Sequence, residues 1–246
     1  MEFGLLGALL ALYLLLRFSM QGSISDAVGN AHRVVRVERA FGVFSEHNLQ
    51  SLALQSHDMI RFLNGYYLYA HFSVTALFFA WMFIRHPDTY PGCRRILIVM
   101  TAIGLAIHAV YPLAPPRMFP DMGFIDTGRI FGMSPYGDTS EGLANQFAAM
   151  PSLHFGWALL VAWGANRFSS SPWRRLLMLH PLLTLAAIII TANHYWLDAA
   201  VALCIFLAAV NIDRALRRRF LRPRALRSGH EVADSEPDAD SAVVAA

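Results

Sequence analysis

The stretch "TANHYWLDAA" at residues 191–200 contains two side chains that can cooperate in catalysis, His194 and Asp198. Residues four apart in a helix lie on the same face, within reach of each other. A carboxylate that accepts a hydrogen bond from one imidazole nitrogen fixes the tautomer of the ring and makes the other nitrogen more nucleophilic. The spacing therefore predicts a histidine nucleophile, His194, oriented by Asp198.

A second histidine follows a helix-start signal in "AAMPSLHFGWALLVAW" at residues 148–163. Pro151 suits the first turn of a helix, and the hydroxyl of Ser152 lies beside free backbone N–H groups there. Such a helix end attracts anions, phosphate above all. His154 is therefore predicted to lie next to an anion-binding helix end.

An arginine follows two prolines in "YPLAPPRMFPDMGFIDTGR" at residues 111–129. The rigid lead-in holds the guanidinium of Arg117 in place, and arginine is the side chain best suited to bidentate phosphate binding. Together the three elements indicate phosphoryl transfer. One imidazole attacks phosphorus, the second protonates the leaving oxygen, and the arginine and the helix-end N–H groups neutralise the developing charge.

These residues must be positioned by membrane spans. Hydrophobic residues make up 56% of the 246 residues and charged residues 15%, unlike a soluble domain. Apolar runs of about 17–25 residues can cross a bilayer as helices, and these runs lack the alternating polarity of barrel strands. We predict an all-α integral membrane protein with six transmembrane helices in one bundle, at roughly 3–20, 60–84, 95–111, 153–168, 176–192 and 195–212.

Clusters of arginine lie between the second and third spans, between the fourth and fifth, and after the sixth: Arg85, Arg94 and Arg95; Arg167, Arg174 and Arg175; and "DRALRRRFLRPRALR" at 213–227. The positive-inside rule places all three clusters in the cytoplasm. This predicts a multi-pass protein of the cell membrane with both termini cytoplasmic. Arg117, His154 and His194 then share the extracytoplasmic face, although only arginines were used to orient the chain.

The predicted organisation is a single catalytic domain over 1–227 and a disordered, acidic cytoplasmic tail over 228–246. Basic and apolar residues at about 25–57 predict an amphipathic helix in the membrane interface, and 112–151 form an outer loop. The isoelectric point of about 9.1 reflects basic residues beside spans. We therefore expect the bilayer as a partner and no nucleic acid.

Each catalytic element alone has a simpler interpretation. A histidine near a span end can be a packed or interfacial residue, a His-x-x-x-Asp pair can be a structural hydrogen bond, and Arg117 can contact lipid headgroups. Ionisable groups at membrane depth are nevertheless functional by default. Three such elements in one chain favour a catalytic site.

The order Arg117, Pro-Ser-x-His at 151–154 and His-x-x-x-Asp at 194–198 resembles the type 2 phosphatidic acid phosphatase superfamily. The likeness covers about 64–213. Members of that superfamily are membrane enzymes with a six-helix core and a histidine nucleophile. The resemblance implies a phosphohistidine on His194, which Asp198 orients, with His154 as general acid. It also implies that Arg117 and Ser152 bind the substrate phosphate.

This chain departs from the lipid phosphatases of that superfamily at two cationic positions. They usually carry a lysine seven residues before the motif arginine, where Val110 stands, and an arginine six residues before the nucleophile, where Ile188 stands. Met118 and Leu153 replace a usual proline and glycine. The motifs "APPRM", "MPSLH", "NHYWLDA" and "NGYYLYAHF" (64–72) are more similar to the branch of inositol phosphorylceramide synthases and sphingomyelin synthases.

The leading hypothesis is therefore a lipid phosphotransferase that acts on a phospholipid or polyprenyl-type phosphodiester, because a diester carries less charge than a monoester. A lipid alcohol would accept the headgroup. The alternative is a lipid phosphate phosphatase or phospholipase C-type hydrolase of the same superfamily, with water as acceptor.

Two further alternatives stay open. A six-span transporter or scaffold is one, although transporters use midplane polar residues and often repeated halves. A metal site of His71, His108, His154 and His194 is the other. We predict no metal and no cofactor, because the chemistry implied by the resemblance leaves His194 free to attack.

Overall fold

The computed structural model describes residues 24–133 and 146–220. Its helices are α1 (Ile24–Ala40), α2 (Glu46–Ala53), α3 (His57–Gly65), α4 (His71–Arg85), α5 (Tyr90–Val110), α6 (Thr127–Phe131), α7 (Leu153–Phe168), α8 (Arg174–Leu177), α9 (Leu179–Ile190) and α10 (Trp196–Phe220). A π-helical turn, Tyr66–Ala70, joins α3 to α4, and two 3-10 turns, Pro116–Met118 and Pro120–Met122, follow α5. The all-helical prediction is confirmed over these residues, where the β-pairing is one isolated bridge between Leu113 and Ala148.

Three helical segments of the described chain are long and apolar enough to cross a membrane: His57–Arg85, Tyr90–Val110 and Trp196–Arg219. They correspond to the second, third and sixth predicted spans and identify a membrane protein. The fourth predicted span is α7, with 16 residues, and the fifth contains α9, with 12. Both are shorter than the roughly 20 residues of a typical span. The first predicted span and the predicted tail lie outside the described residues, so the count of six stays a prediction.

The segment 25–57 is two helices, not the single helix predicted. The backbone N–H of Val43 donates to the carbonyl of Glu38, and that of Gly42 donates to the carbonyl of Arg39. Gly42 adopts a φ of +69°, which glycine tolerates without a Cβ clash. This pattern is a Schellman motif, which ends α1. The chain then turns back so that α2 packs against α9.

Helix α7 is central and packs against α4, α5, α9 and α10. Its buried face is rich in small residues, namely Gly156, Ala158, Ala162, Gly164 and Ala165. Helices in lipid associate through close packing, because burial from lipid supplies little hydrophobic drive. A Cβ at Gly164 would lie 2.5 Å from the ring of Phe78 on α4. The glycine therefore allows this ring to pack directly on the α7 backbone.

Charged residues meet at the end of α10 that is remote from His194. The buried carboxylate of Asp213 lies 2.8 Å from a guanidinium nitrogen of Arg95 and 2.7 Å from Nε of Arg217. Asp213 is about 22 Å along α10 from Asp198, at 1.5 Å per residue. Arg95 near the start of α5 and Arg217 near the end of α10 therefore share one end of the bundle, opposite His194.

Candidate active site

His194 lies in the short turn between α9 and α10 and is buried. Its Nδ1 is 2.7 Å from the carbonyl oxygen of Ala149 and 3.2 Å from Oδ2 of Asp198. A carbonyl oxygen can only accept a hydrogen bond, so Nδ1 carries the proton and donates it. In the neutral ring Nε2 then keeps the lone pair. This arrangement can present Nε2 as a nucleophile.

Asp198 connects the first turn of α10 to the start of α7. Its side chain is fully buried, and Oδ2 also accepts a hydrogen bond from the backbone N–H of Tyr195 at 2.9 Å. Its own backbone carbonyl accepts a hydrogen bond from the N–H of Ser152 at 3.2 Å. The carboxylate therefore caps α10 and contacts His194 at the same time.

The start of α7 lies beside His194, as the motif order predicts. Ser152 is the N-cap residue of α7, and its hydroxyl accepts a hydrogen bond from the N–H of Phe155 at 3.4 Å. The ring centroid of His154 is 6.3 Å from that of His194, and the ring stacks on Tyr67 at 4.4 Å. The structure thus brings two imidazoles together that lie 40 residues apart in the chain.

The unusual Leu153 of the Pro-Ser-Leu-His motif packs against α5. A Cβ added at Gly104 of α5 would lie only 2.6 Å from Cδ2 of Leu153. The absence of a side chain at Gly104 therefore makes room for the leucine. His108, one turn further along α5, places Nε2 3.1 Å from the carbonyl oxygen of Pro151. Both contacts fix the peptide segment before His154.

Arg117 is held close to the turn that carries His194. Its backbone N–H donates to the carbonyl of Ala192 at 2.8 Å, and its guanidinium donates to Oδ1 of Asn193 at 2.7 Å. The guanidinium Nε lies 3.8 Å from the carboxylate of Asp126. Arg117 is buried, and its guanidinium is held next to the turn that carries His194. All five predicted site residues therefore lie in one region: Arg117, Ser152, His154, His194 and Asp198.

The two positions noted above as lacking a cation, 110 and 188, carry apolar side chains. Val110 ends α5 and is 81% exposed, whereas Ile188 is completely buried in a core cluster with Leu63 and Tyr67. The carbonyl of Ile188 accepts the N–H groups of Asn193 and His194. Position 188 thus supports the turn through its backbone and adds no charge to the site.

The alternative metal site of His71, His108, His154 and His194 finds no support in the part of the chain that the structure describes. No group of three or more His, Cys, Asp or Glu residues in 24–133 and 146–220 is arranged to hold a metal ion. His71 contacts the ring of His154, at 4.6 Å between centroids, but His108 bonds to the carbonyl of Pro151 instead.

A comparison with known protein families gives a match over most of the chain. A model described as the PAP2 superfamily matches residues 32–212. This chain belongs to the PAP2 superfamily. Membership indicates a membrane enzyme of lipid phosphatase or phosphotransferase type. A search of the curated proteins found no match, and a search of the solved structures found none either.

Sequence reasoning did not identify two glutamates that support the site of this PAP2-superfamily protein. Glu38 of α1 accepts a hydrogen bond from the N–H of Leu197 at 2.7 Å, and Glu46 of α2 accepts one from the N–H of Trp196 at 3.2 Å. Both glutamates are almost completely buried. They satisfy free donors at the positive end of α10. The available signal was two acidic residues inside an otherwise basic, apolar segment.

Burial, followed by a hydrogen bond with Glu46, raises the pKa of the Glu38 carboxyl to about 9. A carboxyl group loses solvation when it is buried, and a neighbouring carboxylate further disfavours a second negative charge. The raised pKa favours the protonated form of the Glu38 carboxyl next to Glu46.

Proposed function

We propose that this PAP2-superfamily protein is a lipid phosphotransferase that moves a phosphorylated headgroup between lipids through a phosphohistidine on His194. The donor is a phospholipid or a polyprenyl-type phosphodiester, and the acceptor is a lipid alcohol. The observation that carries the proposal is the contact of His194 Nδ1 with the Ala149 carbonyl and Asp198. This contact leaves Nε2 as the nucleophile, and the ring of His154 is close by.

In the first step Nε2 of His194 forms a bond to phosphorus and the bond from phosphorus to the lipid alcohol oxygen breaks. His154, as the imidazolium, gives its proton to the leaving oxygen. The carboxylate of Asp198 and the Ala149 carbonyl stabilise the positive charge that develops on the His194 ring. Arg117 and the N–H groups at the start of α7 neutralise the phosphoryl oxygens.

In the second step an acceptor hydroxyl attacks the same phosphorus. Its proton moves to His154, which now acts as the base, and the bond between phosphorus and Nε2 breaks. The proton taken from the acceptor replaces the proton given to the leaving alcohol. The enzyme therefore returns to its starting state with one alcohol exchanged for another.

The charge of the site supports a diester substrate. Arg117 lies beside His194, whereas positions 110 and 188 carry valine and isoleucine. A phosphate monoester brings close to two negative charges at neutral pH, and a diester brings one. Fewer cations therefore suffice for the diester, and this favours transfer of a whole headgroup over removal of a terminal phosphate.

A hydrophobic groove beside the site supports a lipid substrate. It has a volume of about 720 Å³ and lies between the α1–α2 turn, α9 and α10. Its apolar lining includes Phe155, which follows His154, and Trp196 and Leu197, which precede Asp198. Ligand pockets commonly have volumes of about 300–1,000 Å³. We assign this groove to acyl chains of the donor.

An exchange assay tests this function without knowledge of the physiological acceptor. The alcohol that leaves in the first step must also act as acceptor in the reverse direction. Purified protein is incubated with ³²P-labelled phosphatidylinositol, phosphatidylglycerol or phosphatidylethanolamine and a fluorescent diacylglycerol. We expect label to appear on the fluorescent lipid for at least one donor, and to be lost in the variant His194→Ala.

Other outcomes assign the alternative functions. Release of a water-soluble labelled headgroup at an equal rate with and without diacylglycerol contradicts the transferase and identifies a phospholipase C-type hydrolase. Absence of both transfer and release with all three donors contradicts the proposal and favours a transporter or scaffold.

We also propose that six spans place both termini in the cytoplasm and the site on the extracytoplasmic side of the cell membrane. The meeting of Arg95, Asp213 and Arg217 at the opposite end of the bundle supports this orientation. Basic residues concentrate on the cytoplasmic side of membrane proteins.

A further inference from the structure

Among the buried side-chain atoms of the described residues that have no hydrogen-bond partner, three lie close together inside the bundle. They are Nδ1 of His71, Oγ1 of Thr75 and Nε2 of His180. The three residues are 1%, 6% and 5% exposed. An unsatisfied polar atom in an apolar interior costs on the order of 1–3 kcal/mol, and native structures have few. Three in one region call for a functional explanation.

These residues form one cluster beside the candidate general acid. His71 and Thr75 lie one turn apart on α4 and so share a helix face. The ring of His71 stacks with His180 of α9 at 6.2 Å between centroids and contacts His154 at 4.6 Å. The hydroxyl of Tyr66 in the π-helical turn shares a hydrogen bond with Nδ1 of His180. π-helical turns are frequent at functional sites.

We propose that this cluster binds the hydroxyl of the acceptor lipid alcohol and holds it against His154. The inference rests on the proposed phosphotransferase function and adds the place where the second substrate binds. A hydroxyl can donate one hydrogen bond and accept two, which matches a threonine hydroxyl and two imidazole nitrogens. His154, in ring contact with His71, is in position to take the proton as that hydroxyl attacks phosphorus.

The surroundings favour an uncharged lipid alcohol over a second phosphate. The rings around His71 are Phe72, His154, Trp157 and His180. A phosphate would require arginine or lysine, whereas a neutral hydroxyl requires only these donors and acceptors.

The cluster also lies close to the outer wall of the bundle. Phe72 contacts the rings of His71, His154 and Trp157 and is 53% exposed. This half-exposed ring therefore links the buried histidines to the surface of the bundle. An acceptor already dissolved in the bilayer can reach the cluster sideways past this ring.

The test separates the two half-reactions of the exchange assay. The donor step is measured without acceptor, as formation of labelled protein from the ³²P-phospholipid that the wild type uses. The acceptor step is measured as the KM for fluorescent diacylglycerol. Thr75→Val removes the hydroxyl and keeps the shape, Thr75→Ser keeps the hydroxyl, and His71→Phe removes the ring nitrogens. His86→Phe, at the far end of α4, is the matched control.

We expect Thr75→Val and His71→Phe to raise the acceptor KM about tenfold or more, with the donor step changed less than about twofold. Thr75→Ser should restore the wild-type KM, and His86→Phe should not alter it. Thermal unfolding in detergent adds an independent readout. Thr75→Val should unfold at the same or a higher temperature, because it removes an unsatisfied buried hydroxyl.

An unchanged acceptor KM in both variants would overturn the inference, as would an equal loss of the two steps. Failure of the proposed function has a different signature. In that case the wild type itself forms no labelled protein at His194, and the acceptor site is refuted together with the phosphohistidine.

Discussion

The tautomer of His194 is set by a backbone carbonyl as well as by a carboxylate. The Ala149 oxygen lies closer to Nδ1, at 2.7 Å, than Asp198 does, at 3.2 Å. The carbonyl alone is sufficient to keep the proton on Nδ1. The remaining contribution of Asp198 is then its negative charge and its hydrogen bond to the start of α10.

Because the Ala149 carbonyl also fixes the tautomer, we expect Asp198→Asn to have a milder effect than replacing a catalytic aspartate usually has. The amide oxygen can still accept from the N–H of Tyr195, and the Ala149 carbonyl still fixes the tautomer. We expect exchange activity to fall about 10- to 100-fold, well short of the roughly 10⁴-fold loss seen when a triad histidine takes the wrong tautomer. Asp198→Ala, which leaves the Tyr195 N–H unsatisfied, should lose more. An Asp198→Asn variant as inactive as His194→Ala would show that the carbonyl does not control the tautomer.

Arg117 should resist replacement by lysine. Lysine keeps the charge but loses the planar fork that binds Asn193 and a phosphate together. We expect kcat for headgroup exchange to fall about 100-fold in Arg117→Lys, a loss comparable to removing one oxyanion donor. Arg129→Lys on α6 is the matched control. Equal activity of the two variants would show that Arg117 does not bind the phosphate.

At the scale of elements, the start of α10 depends on residues far away in the sequence. Its first N–H groups donate to Glu38 and Glu46, which lie on α1 and α2. Asp198 accepts from Tyr195 in the same turn. The helix that carries the aspartate of the site is therefore anchored by the two helices that precede the first described span.

The raised pKa of Glu38, about 9, predicts a pH-dependent stability difference. Such a carboxyl group has a higher pKa in the folded protein than its ordinary value, which is near 4.5. Its stabilising contribution is complete at pH values below that ordinary pKa. The contribution is lost as the pH rises through the folded pKa. Glu38→Gln mimics the protonated acid at every pH. Its melting temperature should equal that of the wild type near pH 4.5 and exceed it by several degrees at pH 9.

Two controls sharpen this measurement. Asp58→Asn changes an exposed acid on α3 and should show no such trend. Glu38→Leu removes the acceptor for the Leu197 N–H and should lower the melting temperature at both pH values. A constant difference between Glu38→Gln and the wild type from pH 4.5 to 9 would contradict the shifted pKa.

Sequence patterns predicted the elements that depend on local spacing. The contact between His194 and Asp198 was predicted from their spacing, although His194 lies in the turn just before α10 and not in the helix itself. The helices that contain spans two, three and six follow from length and apolarity. The break in 25–57 was missed because its apolar residues continue through Gly42, although glycine in "RAFGV" is a helix-ending signal. The Ala149 carbonyl and the link from Glu38 to Leu197 were not predictable, because a backbone oxygen has no residue signature and a contact over 159 residues has no local period.

At the scale of the whole molecule, the candidate site and the ion pairs of Asp213 lie at opposite ends of α10. His154 and His194 lie at one end, and Arg95 and Arg217 pair with Asp213 at the other. In the orientation proposed above, substrates meet the site from the extracytoplasmic leaflet. A transferred headgroup would then remain on that side of the membrane.

Cysteine labelling tests this topology. In a background with Cys93→Ala and Cys204→Ala, single cysteines replace the exposed residues Asp88 and Asp121. A membrane-impermeant maleimide added to intact cells should label position 121 and leave position 88 unlabelled until the cells are opened. Labelling of position 88 in intact cells, with position 121 protected, would show that the orientation is the opposite of the one proposed.

Mass spectrometry tests the phosphohistidine on His194 most directly. The protein is first allowed to react with a donor phospholipid in the absence of acceptor. The reaction is then quenched at alkaline pH, which preserves an acid-labile adduct. We expect the peptide containing residues 191–200 to carry the whole phosphorylated headgroup on His194. The adduct should disappear when a lipid alcohol is added and should not form in His194→Ala. If the wild type turns over with the adduct on another residue, or with no adduct at all, His194 is not the nucleophile.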